Sequence, residues 1–125
     1  MAKRILDVGQ CNVDGPRLGK FLTREFHCTI DRARTKEEAL TMAAATPYDL
    51  VLVNRELAYD RSSGLAAISA LREANPAIRI MLVSDLAEAQ EEAVKLGAIR
   101  GFGKSKLESA STQELLRTVL TATTA

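Results

Sequence analysis

The sequence predicts an α/β fold: a doubly wound, five-stranded parallel sheet held between two layers of helices. Three observations predict it. Short apolar runs alternate five times with segments of helical period. Two of those runs, Leu50-Val51-Leu52-Val53 and Ile78-Arg79-Ile80-Met81-Leu82-Val83, are the length of strands covered on both faces. Strict alternation of this kind calls for parallel strands joined by right-handed crossovers, which puts helices on both sides of the sheet. The chain has 125 residues, 46% hydrophobic and 26% charged. That fits one domain, expected over residues 1–120, with 121–125 (TATTA) as a frayed C-terminal tail.

Each element has its own signals. Arg4-Ile5-Leu6-Asp7-Val8 reads as the first strand. Pro16 stands where a first helical residue would. Leu18, Phe21, Leu22 and Phe26 follow at helical spacing, so helix one is expected over about 16–26, with Asp14 as a candidate cap. Thr29 to Ala33 is a second, edge-like strand. Thr35-Lys36-Glu37-Glu38 is a capping box opening helix two, which ends before Pro47. Strand three is Leu50 to Val53. Leu65, Ile68 and Leu71 mark helix three, stopped by Asn75-Pro76. Strand four covers Ile78 to Val83. Asp85-Leu86-Ala87-Glu88 reads as a box opening helix four, with Leu86, Ala89, Ala93 and Val94 on its inner face and Gly97 as a left-handed stop. Ile99 to Gly103 is a thin fifth strand. Ser111-Thr112-Gln113-Glu114 is a third box, and Leu115, Leu116, Val119 and Leu120 supply the buried face of helix five.

Composition excludes several function classes. The net charge is +1, from 17 basic and 16 acidic residues, so no basic stripe points to nucleic acid. No apolar run approaches the roughly 20 residues of a membrane-spanning helix. Met1-Ala2-Lys3-Arg4 leads into a strand-length run too short for a signal peptide. The cysteines, Cys11 and Cys28, form no CxxC, and with His27 the single histidine a zinc site is not expected. Two reduced thiols in a cytoplasmic protein are the expectation. The chain offers no glycine-rich phosphate loop, no Ser–His–Asp set and no cofactor motif, so it is not expected to be an enzyme.

In doubly wound sheets the functional crevice lies at the carboxyl ends of the strands, where the strand order reverses. The residues there are Gly9-Gln10 after strand one, Asn54 after strand three, Ser84 after strand four and Lys104 after strand five. Around them stand the segments KRIL-D-V, TKEEAL, PYDLVLVN, IRIMLVS and KLGAIRGFGK. In this order and spacing the chain resembles the receiver domain of two-component response regulators, the CheY-like family, over nearly its whole length. The resemblance implies a (βα)5, flavodoxin-like three-layer sandwich with strand order 2-1-3-4-5. It also implies a crevice with two acids after strand one that hold Mg²⁺ and an aspartate ending strand three that accepts a phosphoryl group. A Ser or Thr ending strand four, and a lysine before a proline on strand five, complete it.

The chain departs from that pattern where chemistry would occur. The acidic-pair positions are Gly9 and Gln10, and the phosphoacceptor position is Asn54. A carboxamide is not a nucleophile that can form an acyl phosphate, and without the acids Mg²⁺ binding is expected to be lost. Ser84 and Lys104 match, but Ser105 replaces the proline. Lys104 is expected to donate to the Asn54 carboxamide, a backbone carbonyl or water, with an anion contact as the alternative. Ser84 is expected to satisfy a loop amide or start helix four. Asn54 is read as a partner for Lys104 or as a cap on its loop. Glu56 is the nearest remaining acid, too poor alone for a Mg²⁺ cage, and Asp60 and Arg61 read as a solvated pair. Counting back from Lys104, the switch-aromatic position falls on Gly101, and Phe102 beside it should face the other side of the strand. The loop after Asn54 reads as longer than the family's and the loop after Ser84 as shorter.

The resulting expectation is a degenerate pseudo-receiver with no metal and no cofactor. It would serve two-component phosphorelay signalling as a phosphorylation-independent interaction module. Its expected partner is a signalling protein docked on the helix 4–strand 5–helix 5 face, which includes Ala89, Arg100, Lys106 and parts of Leu107 to Arg117, or a second copy of the chain. The alternative is a phosphate-responsive regulator that uses a displaced acid, Glu56 or Asp14, or a bound anion in the same crevice.

Overall fold

The computed structural model describes residues 3–121. Its elements run β1 (Arg4–Val8), α1 (Asp14–Phe26), β2 (Thr29–Ala33), α2 (Lys36–Ala45), β3 (Leu50–Asn54), α3 (Gly64–Ala74), β4 (Ile80–Val83), α4 (Ala87–Lys95), β5 (Ile99–Phe102), a 3₁₀ turn at Lys104–Lys106 and α5 (Ala110–Thr121). The five strands are parallel in the order β2-β1-β3-β4-β5, as expected. Thr121 closes α5, and the remainder of the expected tail, like Met1 and Ala2, lies outside the described residues.

Period-two alternation divides the core. Ile5, Leu50, Leu52, Met81 and Val83 face one way and pack with Leu18, Phe21 and Leu22 of α1 and Leu116 and Leu120 of α5. Leu6, Val8, Val51, Val53, Ile80 and Leu82 face the other way and pack with Ala39 of α2, Ile68 and Leu71 of α3, and Ala93 of α4. Both faces of β3 are therefore sealed, and its four aliphatic residues are fully buried. Truncating one such leucine to alanine typically costs about 2–5 kcal/mol.

Several boundaries differ from the sequence reading, each for a local reason. Helix α1 starts two residues early, at Asp14, and Asp14 does not cap it. Pro16 still falls in the first turn, where a missing N–H costs no helical bond. The other end of α1 closes on His27 in the left-handed conformation, φ 54°. At α2 the Thr35 hydroxyl accepts from the Glu38 N–H at 3.1 Å. The Glu38 carboxylate reaches one residue past the expected partner, to the Arg34 N–H at 2.9 Å. Strand β4 begins at Ile80, because the Ile78 N–H is drawn back to the Asn75 carbonyl in the turn after α3. Helix α5 is capped by Ser109, whose hydroxyl accepts from the Thr112 N–H at 3.2 Å, so the Ser111 box is not used.

Helix α4 carries the largest correction. Its opening has no side-chain cap, and Leu86 and Val94 are 53% and 41% exposed rather than inward. The inner positions belong to Ala89, Gln90 and Ala93. Gln90 takes its place through hydrogen bonds: its amide nitrogen donates to the carbonyls of Leu82 (2.9 Å) and Ser84 (3.0 Å), and its carbonyl accepts from the Gly101 N–H (2.9 Å).

Candidate functional site

The sheet order reverses between β1 and β3, and the loops at the carboxyl ends of β1, β3, β4 and β5 form one crevice. A cleft of about 470 Å³ there is lined by Asn54, Arg55, Glu56, Ser84, Asp85 and Lys104, among others. The structure thus brings together Asn54, Ser84 and Lys104 from three strand ends.

What it does not bring together is more telling. The Asn54 carboxamide donates to the Gly9 carbonyl at 3.2 Å and to the Glu56 carbonyl at 2.7 Å. It is a tie between two loops, and Lys104 is not its partner. The Lys104 ammonium goes instead to the Asp14 carboxylate at 2.8 Å. This pair corrects the expected Lys104–Asn54 contact and explains why Asp14 is not a cap. Both side chains are about one-third exposed, 32% and 30%, so the pair contributes little stability, at most about 1 kcal/mol. Its effect is positional: the cation that would otherwise face the crevice is already matched by an acid. The Lys104 ammonium holds the Asp14 carboxyl below the usual carboxylate range.

Gly9 shows how far the crevice has been rebuilt. It has φ +82°, a conformation that L side chains rarely adopt. A Cβ placed there would come within 2.3 Å of the Leu57 side chain and 3.0 Å of its Cα. Leu57 is fully buried. It occupies the space in front of Gly9, while the Gly9 carbonyl also accepts from the Ala58 N–H at 3.0 Å. A carboxylate is therefore missing at position 9 in residue type, in backbone conformation and in room.

The long β3–α3 loop makes this packing. Glu56 bridges Ser63, the Leu57 N–H bonds the Ser62 carbonyl at 2.9 Å, and Arg61 turns the loop with φ 62°. The Glu56 carboxylate lies toward Arg61 at 3.9 Å, with both side chains largely exposed. Asp60 and Arg61 are both exposed, in keeping with the solvated reading, and the Asp60 carboxylate accepts from the Ser62 hydroxyl at 2.6 Å. Among the described residues no group of three or more His, Cys, Asp or Glu is placed to hold a metal ion.

At the end of β4 the Ser84 hydroxyl accepts from the Leu86 N–H at 3.1 Å. The Asp85 carboxylate takes the Ser105 hydroxyl at 2.6 Å, tying this loop to the turn after β5. The β4–β5 ladder slips between Met81–Ile99 and Val83–Phe102. That slip decides the switch positions. Phe102 is buried against Val83, Leu18 and Leu107 on the α1–α5 side. Gly101 faces the backbone of β4, where a Cβ would come within 2.1 Å of the Leu82 carbonyl oxygen. Neither position offers a side chain that can swing between two pockets.

Beneath the crevice Asp7, which sequence reasoning did not take as a site, lies buried beside Gln10, one of the two acidic-pair positions. Asp7 is 1% exposed and Gln10 is 7% exposed, and none of their side-chain oxygen or nitrogen atoms closes a hydrogen bond of ordinary geometry. Burial pushes the Asp7 carboxyl up to about 7; Arg32, the neighbouring Gln10 amide and Lys104 each pull against that rise. An aspartate amid a strand's apolar alternation was the available signal. Cys11 is half-buried and Cys28 buried, and both are free thiols.

No family model matches the chain, and no curated protein matches it. Solved structures do. A response regulator protein from Burkholderia pseudomallei, solved with a phosphorylated aspartic acid, a calcium ion and citrate, is 26% identical, with a TM-score of 0.74 over 95% of this chain and 67% of that one. The receiver domain of NtrX from Brucella abortus is 23% identical, with a TM-score of 0.78 over 95% of this chain and 99% of that one. A CheY-like receiver domain protein from Methanospirillum hungatei is 18% identical, with a TM-score of 0.73 over 95% and 91%. The chain has the flavodoxin-like CheY fold, and its structural neighbours are response regulator receiver domains.

Proposed function

We propose that the chain is a pseudo-receiver: a receiver domain that takes part in two-component signalling as a protein-interaction module, without being phosphorylated and without Mg²⁺. The observation that carries this reading is Leu57 packed against a left-handed Gly9, with the Asn54 carboxamide spent on two backbone carbonyls. Phosphoryl transfer to a receiver needs a carboxylate nucleophile and a divalent ion to neutralise charge. Here the first is an amide, and Leu57 packs where a side chain at position 9, one of the two expected acid positions, would begin. The Lys104–Asp14 pair supports the same reading, because it leaves the crevice without an unmatched lysine.

The interaction face in this reading is α4–β5–α5. Leu86, Val94 and Leu96 are exposed on or beside α4, with Arg100 exposed on β5. Gln90 ties α4 to the backbones of β4 and β5, which supports a single resting shape for that face. The occupant would be a signalling protein or a second copy of the chain, in the cytoplasm. No helix among the described residues is long and apolar enough to cross a membrane.

Acetyl phosphate with Mg²⁺, followed by intact-mass measurement, tests the proposal. The expected result is an unmodified mass at every incubation time. A stable phosphoryl adduct would overturn it and favour a displaced acceptor such as Asp14 or Glu56.

A further inference from the structure

Asp7 lies on the α1–α5 face of the sheet, because Ile5, two residues earlier on β1, packs there. Its register partner on β2 is Arg32. Partners in a ladder stand side by side, about 4.8 Å apart, with their side chains on one face, and opposite charges so placed ordinarily pair. This pair is not made. Neither Asp7 oxygen has a hydrogen-bond partner, while the Arg32 guanidinium reaches past them to the Gln10 carbonyl at 3.1 Å and the Cys11 carbonyl at 3.2 Å. Gly15 makes room for that reach, since a Cβ there would come within 2.3 Å of the Arg32 Nη2. A lone ionised carboxylate at 1% exposure is far costlier than a neutral acid. The arrangement is therefore that of protonated Asp7, with the arginine spent on the loop between β1 and α1.

From this unmade pair we infer that Asp7 and Arg32 form a proton-operated clasp on the β1–α1 loop: when Asp7 gives its proton to solvent, the guanidinium moves onto the carboxylate and releases the Gln10 and Cys11 carbonyls. A two-pronged bond from arginine to a carboxylate is stronger than bonds to two neutral carbonyls, so ionisation reverses the preference of Arg32. Arg32 is exposed on the edge strand, which leaves its side chain able to turn. The other charged groups around Asp7 are already committed. Lys104 holds the Asp14 carboxylate at 2.8 Å and would only exchange one acid for another. Arg17, beside Asp14 on α1, leans to the Lys104 carbonyl at 3.5 Å. The Gln10 amide offers a neutral hydrogen bond, and β3, β4 and α5 present apolar Leu52, Val83 and Leu116 to this face. Burial keeps the proton on Asp7 up to about pH 7, and Arg32 is the strongest of the groups that oppose it. The clasp is thus closed below that pH and open above it. The loop it holds leads from Gly9 into α1, so the change falls at one end of the crevice and leaves the Gln90 brace on α4 untouched. Its input is a proton, with no phosphoryl group or metal involved, so it goes beyond the interaction role and is tested separately from it.

Carbon-detected NMR of the whole ¹³C,¹⁵N-labelled chain, across roughly pH 5–9 and without Mg²⁺ or a phosphate donor, tests the clasp. A His27→Asn background removes the one histidine, which closes the opposite end of α1 in a left-handed conformation that asparagine tolerates. The Gln10 and Cys11 carbonyl signals are expected to move together with the Asp7 carboxyl signal, at one shared midpoint near pH 7. Asp7→Asn should hold both carbonyls at their low-pH positions throughout. Arg32→Met should raise the Asp7 midpoint by about one pH unit and leave the two carbonyls still as Asp7 titrates. The Gly101 signal should stay fixed in every variant. Carbonyls that stay still while Asp7 titrates in the parent, carbonyls that follow Asp7 in Arg32→Met, an Asp7 carboxyl with no midpoint in this range, or a change spread over the whole spectrum would each overturn the inference.

Discussion

Replacing Asp7 by asparagine tests the electrostatics beneath the crevice. Asp7 sits mid-strand in β1, 1% exposed, with neither carboxylate oxygen hydrogen-bonded. Burial raises its pKa from 3.8 to about 7. In the unfolded chain the group releases its proton near pH 4. In the folded chain it keeps that proton until about pH 7. Between those values the native state holds more protons than the unfolded state, so stability is fully present below about pH 4 and falls as pH rises, levelling off above about pH 7. Roughly three pH units at 1.36 kcal/mol each give a loss of about 4 kcal/mol. Asp7→Asn keeps the shape and cannot ionise. The variant's advantage over the parent should therefore grow by about 2–4 kcal/mol between pH 4 and pH 8. Urea unfolding of both proteins across that range, followed by circular dichroism, measures it. A difference that stays constant with pH would refute the reasoning, because any fixed cost of burying the amide cancels in the comparison.

The other predictions follow from the same geometry. Gly9→Asp, Gln10→Asp and Asn54→Asp together should fail to create tight Mg²⁺ binding by titration calorimetry, because Leu57 fills the space and position 9 needs a left-handed backbone; tight binding would mean the pocket had kept its shape. Gln90→Ala leaves the Gly101 N–H and the carbonyls of Leu82 in β4 and Ser84 just past it without their side-chain partner, and should cost about 3 kcal/mol and speed hydrogen exchange at Gly101. Lys104→Met should raise the Asp14 pKa toward its ordinary value, read by carbonyl NMR, while changing stability by less than about 1 kcal/mol. Thr35→Ala removes the acceptor for the Glu38 N–H and should destabilise by about 1 kcal/mol in thermal unfolding.

The layers of the fold were legible because hydrophobic periodicity is local and repeated: every strand and helix left its own pattern, and alternation implied the parallel sheet. Helix ends were less legible, since several polar residues compete for each cap. Ser109 stands two residues ahead of Ser111 and satisfies Thr112, and Asp85 prefers the Ser105 hydroxyl to the start of α4. Residue types at the crevice were readable one by one, but their partners were not. Lys104 and Asp14 are 90 residues apart in sequence and meet only in the folded chain. Leu57 reads as an ordinary loop apolar residue until its packing on Gly9 is seen. The inward turn of Gln90 had no periodic signature either, because a glutamine at a helical core position looks like a break in the stripe.

The contacts of Gln90 carry one more consequence. All three are to main-chain atoms of Leu82, Ser84 and Gly101, so the brace depends on where the chain runs rather than on which side chains it bears. Outward residues such as Leu86, Val94 and Arg100 can then be exchanged without touching it. A surface of that kind is free to drift toward new ligands over evolutionary time, and it offers protein engineers a patch to randomise on a frame that stays put.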